Sequence, residues 1–233
     1  DYYRETAAVK EMEYDRYTIR SNTDFKIHDR FKAFLNMQGQ YVKTKDQTAS
    51  LYSSYLYLPW DYPYNEDGSV RTGQESDWYG RDSENYLESQ YKDWSGYENF
   101  YVAATAGFKW DLWKGLTLES NNTVNYKIAR DESYVDPDTQ GGQSKHGTIS
   151  NTYSITSNYF TNQMLRYKTE INNMHSLQAL VAYEFSRYYY QATSATAKGI
   201  TSGKEVIDGT TGMDDMSGSK SAFDIQSILS NVN

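Results

Sequence analysis

The chain has 233 residues, a net charge of −8 and a mean hydropathy of −0.84, with 24 Tyr, 3 Pro and no Cys. The acidic balance argues against a nucleic-acid partner, which needs a basic stripe, and the absence of Cys excludes a disulfide scaffold and a thiolate metal site. No apolar run approaches the ~18 residues of a membrane-spanning helix, yet low hydropathy is compatible with a membrane barrel, because only alternate strand residues face lipid. The opening Asp1-Tyr2-Tyr3-Arg4 has neither the basic n-region nor the apolar h-region of a signal peptide. For an exported protein, that start is expected of a piece of something longer.

In chain order, residues 1–12 read as the tail of a loop. From Tyr17 to Ile27 the odd positions Tyr17, Ile19, Phe25 and Ile27 alternate with Thr18, Arg20, Asp24 and Lys26. After His28-Asp29-Arg30 the row resumes as Phe31, Ala33, Leu35, Met37, Gly39 and Tyr41. A period of two broken by a short polar turn predicts a hairpin, with strands near 14–28 and 30–45. Each arm is long enough to cross a bilayer when tilted. A loop is expected at 46–99, where Asn65-Glu66-Asp67-Gly68 is turn chemistry and Pro59 and Pro63 disfavour a strand. Alternation returns with Phe100, Val102, Ala104, Ala106, Phe108 and Trp110, turns at Trp113-Lys114-Gly115, and comes back through Leu116, Leu118, Val124, Tyr126 and Ile128. A second polar loop is expected at 130–148. A third hairpin runs from Thr148 to about Gln191, turning at Asn172-Asn173-Met174-His175. A third loop at 193–222 then leads to the start of a seventh strand at 225–232.

Short turns thus alternate with long loops. That asymmetry predicts an all-β fold: an antiparallel transmembrane β-barrel segment of about six long strands plus the start of a seventh, with short periplasmic turns and long extracellular loops. The aromatic residues fit two lipid-interface belts. Phe25, Phe31, Trp110 and Tyr167 fall near the short turns, and Tyr17, Tyr41, Tyr126, Tyr153 and Tyr189 toward the loops. Arg16, Arg20, Lys26, Lys32, Asn36 and Glu119 then face the lumen, where charge is tolerated.

Catalytic residues are not expected, since His28, His146 and His175 fall in turns or loops with no nucleophile–base pattern beside them. Asp131, Glu132, Asp136 and Asp138 offer hard oxygen ligands for a loop calcium ion, but their spacing misses the EF-hand pattern, and no metal or other cofactor is expected. Trp60, Trp78, Trp94, Tyr62 and Tyr64 are the candidate ligand contacts, because aromatic faces beside Asp, Asn and Glu stack on sugars while their neighbours bond hydroxyls. The alternative is that they pack the loop or meet a partner protein.

Several stretches together resemble the SusC/RagA-like TonB-dependent outer-membrane transporters of Bacteroidota. Tyr14-Asp15-Arg16-Tyr17-Thr18-Ile19-Arg20-Ser21-Asn22 looks like the family's tyrosine–arginine–asparagine strand. The loop ending Pro63-Tyr64-Asn65-Glu66-Asp67-Gly68 is similar to its proline–aspartate–glycine loop, and Lys114-Gly115-Leu116 resembles its third-strand turn. His175-Ser176-Leu177-Gln178-Ala179-Leu180-Val181-Ala182-Tyr183-Glu184 resembles the strand written His-x-Leu-x-x-Leu-x-Gly-Tyr-Glu, with Ala182 replacing the usual Gly.

The resemblance spans essentially the whole chain, in order. It implies one TonB-dependent receptor barrel domain over 1–233, whose plug and remaining strands lie elsewhere. A barrel of ~22 strands scales to roughly 800 residues, so about a third of one is expected here. It further implies a location in the bacterial outer membrane, opening by TonB–ExbB–ExbD through the plug, a SusD-like surface lipoprotein as lid, and import of oligosaccharides or peptides. A siderophore or cobalamin receptor and a passive porin are the alternatives among barrels. A soluble β-rich adhesin or glycan-binding module is the alternative of another class, and would need a second protein layer over the apolar faces.

Overall fold

In the computed structural model the described residues are 1–7, 12–48, 52, 55–56, 58, 60–71, 85–171, 175–201 and 204–233. They form one antiparallel sheet of eight strands in sequential order. The strands are β1 (Tyr2–Thr6), β2 (Glu13–His28), β3 (Phe31–Asp46), β4 (Trp94–Trp113), β5 (Leu116–Val135), β6 (Thr148–Ile171), β7 (His175–Ile200) and β8 (Thr210–Val232). Among the described residues, two short α-helices sit in the connections, α1 (Tyr86–Lys92) and α2 (Gln140–Gln143). No described helix is long and apolar enough to cross a membrane.

The strands expected from alternation are present, and the sheet is larger than that pattern implied. Residues 1–12 contain β1, paired to β2 from Tyr2↔Tyr17 to Thr6↔Glu13. The expected loops at 46–99, 130–148 and 193–222 contract, since Trp94 opens β4, β5 runs to Val135, β7 runs to Ile200 and β8 begins at Thr210. The seventh expected strand is therefore a full eighth one. The physical reason is shared. In Thr193–Lys198 and Thr210–Ser221 neither face carries an apolar row, so the side chains give no period-two signal while the backbone ladder continues.

The register sets the strand tilt. Phe31, Trp110, Leu118, Leu165 and Val181 are successive cross-strand partners from β3 to β7. Measured from that row, β3 starts at the row itself and β7 starts six residues farther down, at His175. Six residues at about 3.4 Å each are ~20 Å, against four inter-strand spacings totalling ~19 Å. A straight line of turns therefore requires strands tilted by about 45°, as closure into a barrel demands.

The turns are built for tightness. Asp29-Arg30 joins β2 to β3, with the Arg30 N–H donating to His28 Nδ1 at 3.2 Å. Lys114-Gly115 joins β4 to β5, with Gly115 at φ +79°. A Cβ there would lie 2.1 Å from the Lys168 carbonyl oxygen, so both the dihedral and the neighbouring strand require glycine. The buried core is small and lies at the far end of the sheet from the turns, where Tyr134, Ile149, Ala197 and Ile200 pack with Trp94 and Ile207.

Candidate functional site

The functional feature is the sheet itself, because its two faces differ. In an antiparallel ladder directly opposed residues share a face. One face carries Ile19, Gly39, Val102, Tyr126, Ser157 and Tyr189 in a single cross-strand row. The other carries Arg20, Gln38, Ala103, Asn125, Asn158 and Tyr188. Ile19 is 73 % exposed, and Phe100, Val124 and Tyr126 on the same face are exposed too. An apolar face of this extent calls for a cover of lipid or protein.

Aromatic rings border that face at two levels. Tyr2, Tyr17 and Tyr41 are cross-strand neighbours, with ring centroids 4.8 Å apart for Tyr2–Tyr17 and 6.2 Å for Tyr17–Tyr41. Near the turns Phe31 stacks on Phe108 at 5.6 Å and meets Trp110 edge-on at 6.0 Å. Phe25, Tyr126, Tyr153, Tyr167 and Tyr189 lie on the same face by register. From Phe31 to Tyr41 the strand climbs ~34 Å, or about 24 Å along an axis inclined at 45°. The apolar band of an outer-membrane barrel is ~25 Å tall. The first charged residue on this face is Lys43 on β3 and Arg187 on β7. The cross-strand row through Lys43 meets β7 at Thr193, six residues beyond Arg187. The turns are offset by six residues too, so the two cations sit at one height.

One polar patch interrupts the apolar face. Ser120, Asn122, Thr161 and Gln163 lie on it by register, and they satisfy one another. Thr161 Oγ1 donates to Asn122 Oδ1 at 2.6 Å, Gln163 Nε2 donates to Thr161 Oγ1 at 2.7 Å, and Asn122 Nδ2 donates to Ser120 Oγ at 3.0 Å. Asn122 is the hub, and a network of this kind lowers the cost of placing polar atoms against hydrocarbon.

The opposite face is wet and charged. Arg16, Arg20, Lys26, Lys32, Asn36 and Glu119 all lie on it by register. Lys26, Lys32, Lys109 and Glu119 form one cross-strand row near the turns. Asp29 pairs with Lys26 at 2.9 Å, and Glu119 is shared at 3.5 Å by Lys109 and Arg166. Higher on this face Tyr188 stacks on Phe223 at 5.1 Å and Tyr101 donates to Asn125 at 3.2 Å. Tyr188 and Phe223 were missed by pattern reading, because aromatics on a polar face break the alternation that would reveal them.

The loop candidates separate. Trp60 and Tyr62 are exposed at 61 % and 68 %, open to a ligand or a partner. Tyr64 is partly engaged, bridging to Val70 in a small hairpin. Its turn is closed by Asp67, whose carboxylate accepts from the Ser69 N–H and hydroxyl, and those bonds hold its pKa below the ordinary value. Trp78 lies outside the described residues. Trp94 is a correction. It opens β4, stacks on Tyr134 at 5.9 Å and donates to Glu205 at 2.9 Å, so its ring closes the core instead of offering a free platform.

These connections are held by buried polar groups. Asn85 is fully buried, caps α1 through the Leu87 N–H at 3.2 Å, and donates to the carbonyls of Pro63 and Arg71 at 2.9 and 2.7 Å. Asp93 accepts from the Asp136 N–H at 2.8 Å and the Thr139 hydroxyl at 3.4 Å, and burial raises its pKa. The acidic group considered for calcium does not converge: Asp131 and Glu132 are successive residues on opposite faces of β5, and Asp136 is engaged by Tyr134 and Asp138. The histidines lie at strand ends or turns: His28 closes β2, His175 opens β7, and His146 adopts φ 54°.

No family model matches the chain. At the sequence level it is 23 % identical over 215 residues to TonB-dependent receptor P26 of Formosa agariphila, covering 86 % of this chain and 20 % of the receptor. Among solved structures it is similar to the RagAB peptide transporter, with a TM-score of 0.78, 18 % identity and coverage of 100 % of this chain and 27 % of that one. The RagAB peptide importer in its "open-open" state aligns with a TM-score of 0.74 at 19 % identity, covering 95 % of this chain and 26 % of that one. The chain therefore spans about a fifth to a quarter of the length of these proteins, and along that length it shares the fold of the matching stretch of RagAB. The resemblance read from its motifs holds in both sequence and fold. The proteins it resembles are receptors and importers, not enzymes.

Proposed function

We propose that this chain forms part of the wall of a TonB-dependent importer in the bacterial outer membrane, taking up peptides or oligosaccharides with a SusD-like surface lipoprotein. The carrying observation is the two-faced sheet: an apolar face about 24 Å tall between two aromatic levels, backed by a wet, charged face, on strands tilted by about 45°. The long connections that include Trp60 and Tyr62 belong outside the cell, where a lipoprotein lid and its ligand would meet them. The charged row of Lys26, Lys32, Lys109 and Glu119 faces the lumen and the plug. Peptide is favoured over oligosaccharide by the RagAB likeness, since those structures are of peptide importers. TonB–ExbB–ExbD would supply the force through a plug domain inside the barrel.

The test is purification of the native protein from detergent-extracted outer membranes, with mass spectrometry of what accompanies it and uptake assays in cells. A co-purifying surface lipoprotein, and uptake of labelled peptides that stops when the proton-motive force is collapsed, is the expected result. Uptake that persists without that force would point to a passive pore. Recovery in a carbonate wash would sink the membrane reading altogether.

A further inference from the structure

One step above the outer aromatic row, the apolar face carries a row of alternating charge. Arg4, Asp15, Lys43, Glu98 and Arg130 are successive cross-strand partners from β1 to β5. Arg4 donates to Glu13 at 3.0 Å and lies 3.8 Å from Asp15, and Lys43 lies 3.1 Å from Glu98, while Arg130 pairs along its own strand with Glu132. The row is uneven in depth. The three cations are 51 %, 59 % and 53 % exposed, whereas Asp15, Glu98 and Glu132 are 20 %, 36 % and 22 % exposed. Asp15 and Glu132 are the more buried partners, and the cations stand on every second strand, about 10 Å apart. Each cation keeps N–H donors beyond those its carboxylate uses. Lys220 on β8 lies on the same face outside this row, paired with Gln191 and over the Tyr189 ring at 5.6 Å. Lys43 stands where the ~24 Å apolar band ends, at the level of lipid headgroups, and because the strands are tilted by about 45° the row is itself inclined, with Arg4 about 7 Å below and Arg130 about 7 Å above it.

We propose that these cations seat the phosphate groups of lipid headgroups in the leaflet on the long-loop side. Arg4, Lys43 and Arg130 donate to phosphate oxygens, and the carboxylates paired with them hold the side chains in place. This rests on the membrane-wall reading above. Charge-assisted donation to phosphate gives the contact its strength, and the aliphatic stems lie along the apolar band.

The experiment uses the full-length native protein in phosphatidylcholine bilayers containing a trace of spin-labelled phosphatidic acid or, in a parallel sample, spin-labelled phosphatidylcholine. Electron paramagnetic resonance reads the fraction of label immobilised at the protein surface. The wild type is expected to hold phosphatidic acid preferentially, and the K43Q/R130Q variant to lose about fivefold of that preference per cation removed. E98Q/E132Q keeps the cations, and its preference is expected to be retained or raised; a purely structural row predicts a loss there instead. K109Q/R166Q, on the opposite face, is expected to leave the preference unchanged. Millimolar inorganic phosphate in the buffer should not compete; full competition would assign the row to free phosphate and overturn the lipid assignment. An immobilised fraction with no preference, or one that K43Q/R130Q does not alter, overturns the proposal while leaving the membrane wall intact. Absence of any immobilised lipid would overturn the wall itself.

Discussion

At the residue scale, two polar centres carry consequences that the fold alone does not. Asp93 lies outside the spanning strands, and burial raises its pKa above the ordinary 3.8. As pH rises through the interval between that value and the raised one, the unfolded chain gives up its proton first, so stability falls across that window and stays lower above it. The Asp136 amide, which donates to Asp93, should therefore show a protection factor in hydrogen exchange that is higher on the acid side. Asp93→Asn keeps an acceptor without the charge and should flatten that dependence, while Asp93→Ala should cost about 1–3 kcal/mol by orphaning a partly buried donor. Protection that rises with pH in the native protein would contradict the burial argument. Asn122 offers the second case. Asn122→Ala removes the hub that Thr161 and Ser120 share, and a loss of about 1–3 kcal/mol is expected in urea unfolding from detergent. Replacing Ser120, Asn122, Thr161 and Gln163 together by apolar residues should recover most of it, since no orphan then remains.

At the element scale, the strands are specified by which face each residue takes. Ala103 and Ala104 are neighbours in β4 on opposite faces, partnered by Gln38 and Met37 respectively. Ala104→Arg should cost roughly 2–4 kcal/mol of folding stability in bilayers, and Ala103→Arg close to nothing. Equal costs would mean that the two faces meet the same environment. Gly115→Ala should destabilise the turn by about 1 kcal/mol or more, because it combines a left-handed dihedral with a carbonyl 2.1 Å from the new carbon. Heat-modified gel mobility would report both effects. The elements were legible wherever one face had to be apolar: Phe31 to Tyr41 and Phe100 to Trp110 announce their strands by period alone. They were illegible above the band, where Thr193–Lys198 offers only the small Ala195 and Ala197 and Thr210–Ser221 has no apolar row, so that backbone pairing and not a side-chain period marks them as strands. β1 escaped notice for a related reason, since Tyr2, Arg4 and Thr6 form no apolar row and the strand exists by pairing with β2. Trp94 was misjudged because a loop tryptophan in the sequence does not reveal that it caps a core.

At the scale of the whole molecule, the described sheet has open edges at β1 and β8 and a broad apolar face. Expressed by itself in water, the 233-residue chain should aggregate and should be recovered only with detergent or denaturant. A monomeric, cooperatively folding product would refute that. The central claim is that alternate residues of these strands face lipid and water. Because the chain has no Cys, cysteine scanning of β4 from Asn99 to Trp110 in the native outer membrane tests it most directly. Even positions, such as Val102, Ala104 and Ala106, should react with a membrane-soluble maleimide and resist a charged one. Odd positions, such as Tyr101, Ala103 and Thr105, should do the reverse. A uniform response along the strand would contradict the account.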